Sequence, residues 1–128
     1  MNIIPYTSEH NIFRESLRKF LDKEILPHVE EWEEAGIVPK AFWQKMGRQG
    51  YLCMDIPVDY GGPGGDFLYS VIVCEELVKC NFSGLAASLH SDICVPYISS
   101  FGSEEQKQKE PVSHILYCNA TVYRGDSK

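Results

Sequence analysis

The chain has 128 residues, 44% of them hydrophobic and 23% charged, which is the composition of a single globular domain. No apolar run approaches the ~20 residues of a membrane-spanning helix, so no membrane span is expected. The net charge of −6 argues against nucleic acid as a partner, because phosphate binding depends on clustered Lys and Arg.

The elements read as helix after helix. From Ser8, taken as the N-cap, apolar residues recur at helical spacing through Ile12, Phe13, Leu17, Phe20, Leu21, Ile25, Val29 and Trp32. Pro27 should break or kink this element near Leu26, and Gly36 should stop it. A second helix starts at Pro39, turns Phe42 and Met46 to one side and ends at Gly50. The segment YLCMDIP is then an extended link. Asp66 caps a third helix carrying Leu68, Val71, Ile72, Leu77 and Val78, which Asn81 to Gly84 terminates. Residues 84 to 101 are expected to be helical with a kink at Pro96, since Leu85, Leu89 and Ile93 recur every four positions. Ser103 and Gln106 form a capping box that opens a last helix. Residues 110–128 show neither helical period nor strand alternation and are expected to be a disordered, irregular tail, so residues 1–109 constitute the domain.

Between the second and third helices lies PVDYGGPGGDF, residues 57 to 67, a stretch that could cradle a phosphate or merely turn the chain. It lacks the Lys-Ser/Thr pair of a P-loop and the βαβ setting of a dinucleotide fingerprint, and Asp66 would repel an anion at the helix end. Gly61, Gly62, Gly64, Gly65 and Asp66 are therefore read as structural. Glu30, Glu31, Glu33 and Glu34 around Trp32 read as a solvated face. One of Glu75 and Glu76 must lie near the apolar stripe, where burial would raise its pKa; a structural hydrogen bond is preferred there to a catalytic base. His90 and Cys94 stand at i, i+4, but no further ligands converge on them, so packing with a partly exposed imidazole is preferred to a metal site. His10, His28 and His114 look isolated. The five cysteines, odd in number and without C-x-x-C, suggest reduced thiols in an intracellular compartment. The residues alone indicate an all-α domain with neither a catalytic nor a metal site.

The string RKFLDKEILPHVEEWEEAGIVPKAFWQKMGRQGYLCMDIPVDYGGPGGD, followed by VIVCEEL and FGSEEQKQK, resembles the N-terminal helical domain of the acyl-CoA dehydrogenases, most like the long-chain members. The resemblance rests on the ordered set P-x-x-x-x-W, W-x-x-x-G-x-x-G, P-x-x-Y-G-G-x-G-G-D, E-E-L and G-S-E-E-Q-K, over residues 8 to 109. It implies an up-and-down helical bundle that is followed in the family by a middle β domain and a C-terminal four-helix bundle. FAD lies between those last two, and a glutamate in the C-terminal bundle removes the α-proton of the fatty acyl-CoA while the β-hydrogen leaves as hydride to the flavin. Electrons then pass to an electron-transfer flavoprotein. Family members are homo-oligomers of the mitochondrial matrix. This N-terminus shows no transit-peptide pattern, so a cytoplasmic location stays open.

After Lys109 the resemblance stops, and the family's flavin-contacting stretch has no counterpart. The expectation that follows is a truncated acyl-CoA dehydrogenase, inactive and without FAD on its own. The alternative is a short non-enzymatic product that binds acyl chains or docks on full-length subunits. By position, Leu85, Ala86, Leu89 and Ile93 would form one wall of the acyl-chain cavity, on a face that suits plain bundle core equally well. Long-chain members often carry Pro-Gly where this chain has Leu85-Ala86, so chain length is not transferred. Apolar faces that the family covers with its other domains should leave the chain prone to self-association and dye binding, with weak cooperativity.

Overall fold

Thr7, rather than Ser8, opens the first helix of the structure, a computed structural model that describes residues 3–82 and 84–109. The Thr7 hydroxyl accepts from the His10 N–H, and His10 Nδ1 accepts from the Thr7 N–H at 3.1 Å. Histidine thus does here what Glu or Gln does in the usual capping box, which is why the cap falls one residue earlier than expected. Helix α1 runs Ser8–Glu24 and buries Leu17 and Leu21. Pro27 sits in a 3₁₀ turn, Leu26–His28, that separates α1 from α2, Val29–Ala35. Gly36 closes α2 at φ 65, a left-handed conformation that glycine adopts without a Cβ penalty.

Helix α3, Lys40–Arg48, buries Phe42, Trp43 and Met46. The following link, residues 51–56, forms no strand and is the most continuously buried stretch among the described residues. Tyr51, Leu52, Cys53, Met54 and Ile56 all enter the core with Leu17, Leu21, Ile25 and Trp32. Helix α4, Phe67–Lys79, is capped by the Asp66 carboxylate, which accepts from the Leu68 N–H at 2.9 Å. It lies against α1, with Ile72, Val73 and Leu77 in the core.

The region expected as one kinked helix from residue 84 is different in form. Leu85 and Ala86 precede the helix, and Ala86 has φ 50. A π-helical segment, Leu89–Cys94, follows and leads into α5, Val95–Phe101, with Pro96 in its first turn. Pro96 has no N–H to donate to the carbonyl four residues back, and the ladder widens beside it, with the Val95 N–H donating to the His90 carbonyl. Helix α6, Glu104–Lys109, begins with the expected box: the Gln106 N–H donates to Ser103 Oγ at 3.2 Å and Gln106 Oε1 accepts from the Ser103 N–H at 2.8 Å. The described residues hold no strand, as expected for an all-α bundle. The expectations for the tail 110–128, with His114 and Cys118, lie outside the described residues.

Candidate functional site

The glycine corner comes first because its shape decides whether it can hold an anion. The Gly61 N–H donates to the Val58 carbonyl, Gly62 to Pro57, Gly64 to Ile56 and Gly65 to Met54, at 2.8 to 3.1 Å. An anion-binding turn aims such amides outward at its ligand. Here all four bind the chain itself. A Cβ on Gly62 would collide with the Ile56 carbonyl, so the close approach of two backbone segments requires glycine there. The Asp66 carboxylate completes the corner, capping α4 and meeting His10 Nε2 at 3.1 Å. With its amides engaged and a carboxylate at the helix end, the corner does not fit a flavin pyrophosphate.

Glu76 is the buried carboxylate that the sequence left between two roles. Its side chain is 1% exposed and is met by Arg14 Nη1 at 2.9 Å, Arg18 Nε at 2.9 Å and Lys79 Nζ at 2.7 Å. Burial by itself pushes the Glu76 carboxyl up, but hydrogen bonds from Arg18, Lys79 and Arg14 outweigh it and hold the group at about 2. The expected rise is therefore corrected to a fall, because three cations converge on one carboxylate. A group held so far into its ionised form is a poor proton acceptor at neutral pH, and Glu76 anchors α4 to α1. Glu75 is half-exposed and pairs with Arg14 at 2.6 Å.

His90 and Cys94 do not share a face. His90 is 1% exposed, not partly exposed as expected, while Cys94 faces solvent. The wider π-helical turn places them apart, since i, i+4 residues align only on a regular α-helix. His90 Nδ1 lies 3.2 Å from Ser91 Oγ, which accepts from the Cys53 N–H at 3.1 Å. This contact supports Cys53 at φ 55, and burial pushes its thiol up to about 12. Among the described residues, no three His, Cys, Asp or Glu side chains gather to hold a metal ion.

The four residues assigned by position to an acyl wall fall in two settings. Leu85 is buried in the core and, with Ala86, lines a groove of about 460 Å³ between the C-terminal half of α4 and residues 85–88. Leu77, Val78 and Phe82 make its apolar walls, and Cys74 and Ser88 also line it. Leu89 and Ile93 stand bare beyond it, 43% and 50% exposed. A single helical face containing all four is not what forms, because the helix starts only at Ala87. Sequence reasoning missed Cys74, Ser88 and Asp92. Cys74 Sγ lies 2.8 Å from Ser88 Oγ and 4.0 Å from Asp92 Oδ2.

Residues 7–110 match the model of the acyl-CoA dehydrogenase N-terminal domain. The chain belongs to the acyl-CoA dehydrogenase family. It is 52% identical over 101 residues to the mitochondrial long-chain specific acyl-CoA dehydrogenase of Sus scrofa, covering 79% of this chain and 24% of that protein. The Mus musculus protein of the same name is 48% identical over 104 residues, covering 81% of this chain and 24% of that one. An acyl-CoA dehydrogenase from Geobacillus kaustophilus has the same fold, with a TM-score of 0.81 and 48% identity over 86% of this chain and 30% of that one. This acyl-CoA dehydrogenase domain thus spans about a quarter of the length of the curated relatives it matches. In it, the glycine corner and the Glu76 cluster hold α4 in place, and the groove at Leu85 and Ala86 lies at the C-terminal end of that helix.

Proposed function

We propose that this chain provides one wall of the acyl-chain cavity of an FAD-dependent acyl-CoA dehydrogenase acting on fatty acyl-CoA. The observation that carries this reading is the bare pair Leu89 and Ile93 beside the groove at Leu85 and Ala86. Apolar side chains left half-exposed next to a mostly apolar groove suit contact with a hydrocarbon tail and with the parts of the enzyme that enclose it. Flavin and the base that removes the α-proton belong outside residues 3–109, since the glycine corner does not fit FAD and Glu76 is held ionised by three cations. In the assembled enzyme, electrons pass to an electron-transfer flavoprotein in the mitochondrial matrix.

The 128-residue chain is expected to purify without flavin absorbance and to support no acyl-CoA dependent reduction of an electron acceptor when FAD is added. It is expected to bind a fluorescent long-chain fatty acid, with Leu89→Asp weakening that binding about tenfold or more. FAD at near one equivalent, turnover above a no-protein control, or unchanged binding by the variant overturns the reading.

A further inference from the structure

Two backbone costs act on residues 85–94 in opposite directions. Pro96 has no N–H for the Asp92 carbonyl, and in a regular helix its ring would crowd that carbonyl; the wide π-helical turn Leu89–Cys94 avoids the clash. At the other end of the segment Ala86 is held at φ 50, which a residue with a Cβ adopts only against strain. The His90 N–H donates to the Ala86 carbonyl at 3.3 Å, and the Val95 N–H donates to the His90 carbonyl, so the strained residue and the wide turn are coupled through one hydrogen-bonded path. This register sinks Leu85 into the core and leaves Leu89 and Ile93 bare, and the groove opens between α4 and residues 85–88. A regular helix through the same residues would turn Leu85, Leu89 and Ile93 to one face and lift Ala86 out of the left-handed region. Loss of the extra residue in the turn would rotate residues 85–88 by roughly 100° against α5, which remakes one wall of the groove. Strained backbone joined to a π-helical turn is a combination found at elements that switch.

Resting on the acyl-wall reading, we propose that residues 85–94 are a two-register element in which the Pro96 turn opens the groove and the strain at Ala86 favours its closure. A hydrocarbon tail lying against Leu77, Val78, Phe82 and Leu85 fits the open register alone, and its differential affinity holds the element there. Val95 and Pro96 do not line the groove, so their response to a tail reads the register and not contact with the tail.

The test uses the 128-residue chain and a fluorescent long-chain fatty acid. Pro96→Ala supplies the missing donor and favours the regular helix, so it is expected to weaken binding about fivefold or more at equal or greater helix content. Adding Ala86→Gly, which removes the Cβ cost of the left-handed conformation, is expected to restore most of that affinity. In the parent chain the Val95 amide is expected to exchange faster than the Leu21 amide of α1, and to be slowed about tenfold by saturating fatty acid. Unchanged binding by Pro96→Ala, or a loss that Ala86→Gly fails to restore, overturns the inference and leaves the acyl wall standing. A Val95 amide that exchanges no faster than Leu21, or that fatty acid does not slow, also overturns it. Failure of the parent chain to bind the fatty acid removes the acyl wall and the inference together.

Discussion

His10 Nε2 lies 3.1 Å from Asp66 Oδ1, and each of the two residues is also part of a helix cap. His10 closes the capping box of α1 through Nδ1, and Asp66 caps α4 by accepting from the Leu68 N–H. Because Nδ1 accepts from the Thr7 N–H, the ring proton is on Nε2 and points at the carboxylate. One imidazole thus joins the starts of the two packed helices, and Tyr69 packs on it at 4.4 Å between ring centroids. Asp66→Ala is expected to lower stability by about 1 kcal/mol through the lost cap. His10→Ala should cost a similar amount, and the double variant should cost less than the sum by roughly 0.5 kcal/mol or more, since the pair is in direct contact. Urea denaturation of the four proteins measures this. Strict additivity would show that the two caps act independently.

Glu76 sets the acid limit of the fold. Its folded-state pKa of about 2 lies below the ordinary 4.5, so its contribution is fully present above pH 4.5 and is lost as pH falls from 4.5 towards 2. The contribution is on the order of 2–3 kcal/mol for a buried carboxylate with this shift. Glu76→Gln removes it and leaves Arg14, Arg18 and Lys79 facing a neutral amide, so the variant should be destabilised at pH 7 by a comparable amount. The difference between parent and variant should shrink on acidification to pH 3. Urea midpoints at pH 7, 5, 4 and 3 test the sign: a gap that is constant with pH would contradict the ion-pair account.

The helices were legible in the sequence because their punctuation is local. Pro27, Gly36, Pro39, Asp66 and the Ser103–Gln106 box act on the backbone within a few residues, and the structure places a helix boundary at each. The start of α1 was missed because the N3 position carries His10, which only completes a capping box once its ring nitrogen is seen to accept. The link 51–56 was assigned an extended form but not its burial, since no period marks a stretch whose every side but Asp55 turns inward. Around Leu85 the fourfold spacing suggested one helical face, yet a positive φ at Ala86 and a π-helical turn beyond it separate the four residues. The sign of the Glu76 shift needed three partners from two helices, two of them about sixty positions away in the chain.

Ala86 holds an unfavourable backbone conformation. At φ 50 its Cβ crowds the following carbonyl, a conformation that costs roughly 1–2 kcal/mol for a residue other than glycine. Glycine removes that strain but gains chain entropy in the unfolded state, which offsets about 0.4–1 kcal/mol of the gain. Ala86→Gly is therefore expected to stabilise the chain by about 0.5 kcal/mol or more, the reverse of the usual effect of glycine in a helical protein. Thermal unfolding of the two proteins decides it, and a lower midpoint for the variant would show that the left-handed turn does not persist in solution.

Tyr97 and Phe101 lie at i, i+4 on the regular helix α5 and are 64% and 81% exposed, with Leu89 and Ile93 of the preceding π-helical segment also bare at 43% and 50%. The Tyr97 and Phe101 rings lie 6.0 Å apart between centroids, tilted by 35°, and leave most of their surface in water. Contiguous apolar surface of this kind is characteristic of interfaces, and the net charge of −6 opposes association only partly. The isolated chain is expected to bind a hydrophobic dye and to self-associate at micromolar concentration. Tyr97→Glu with Phe101→Glu should abolish much of both effects at unchanged helix content, because neither side chain contributes to the buried core. Sedimentation velocity over a range of concentrations, read beside dye fluorescence, tests this. A monomer without dye binding at every concentration would show that the stripe is too narrow to drive contact between copies. If self-association persisted in the double variant, the contact would lie elsewhere, and Ile12, Val58, Phe67 and Val78, each more than 60% exposed, would be the next side chains to substitute.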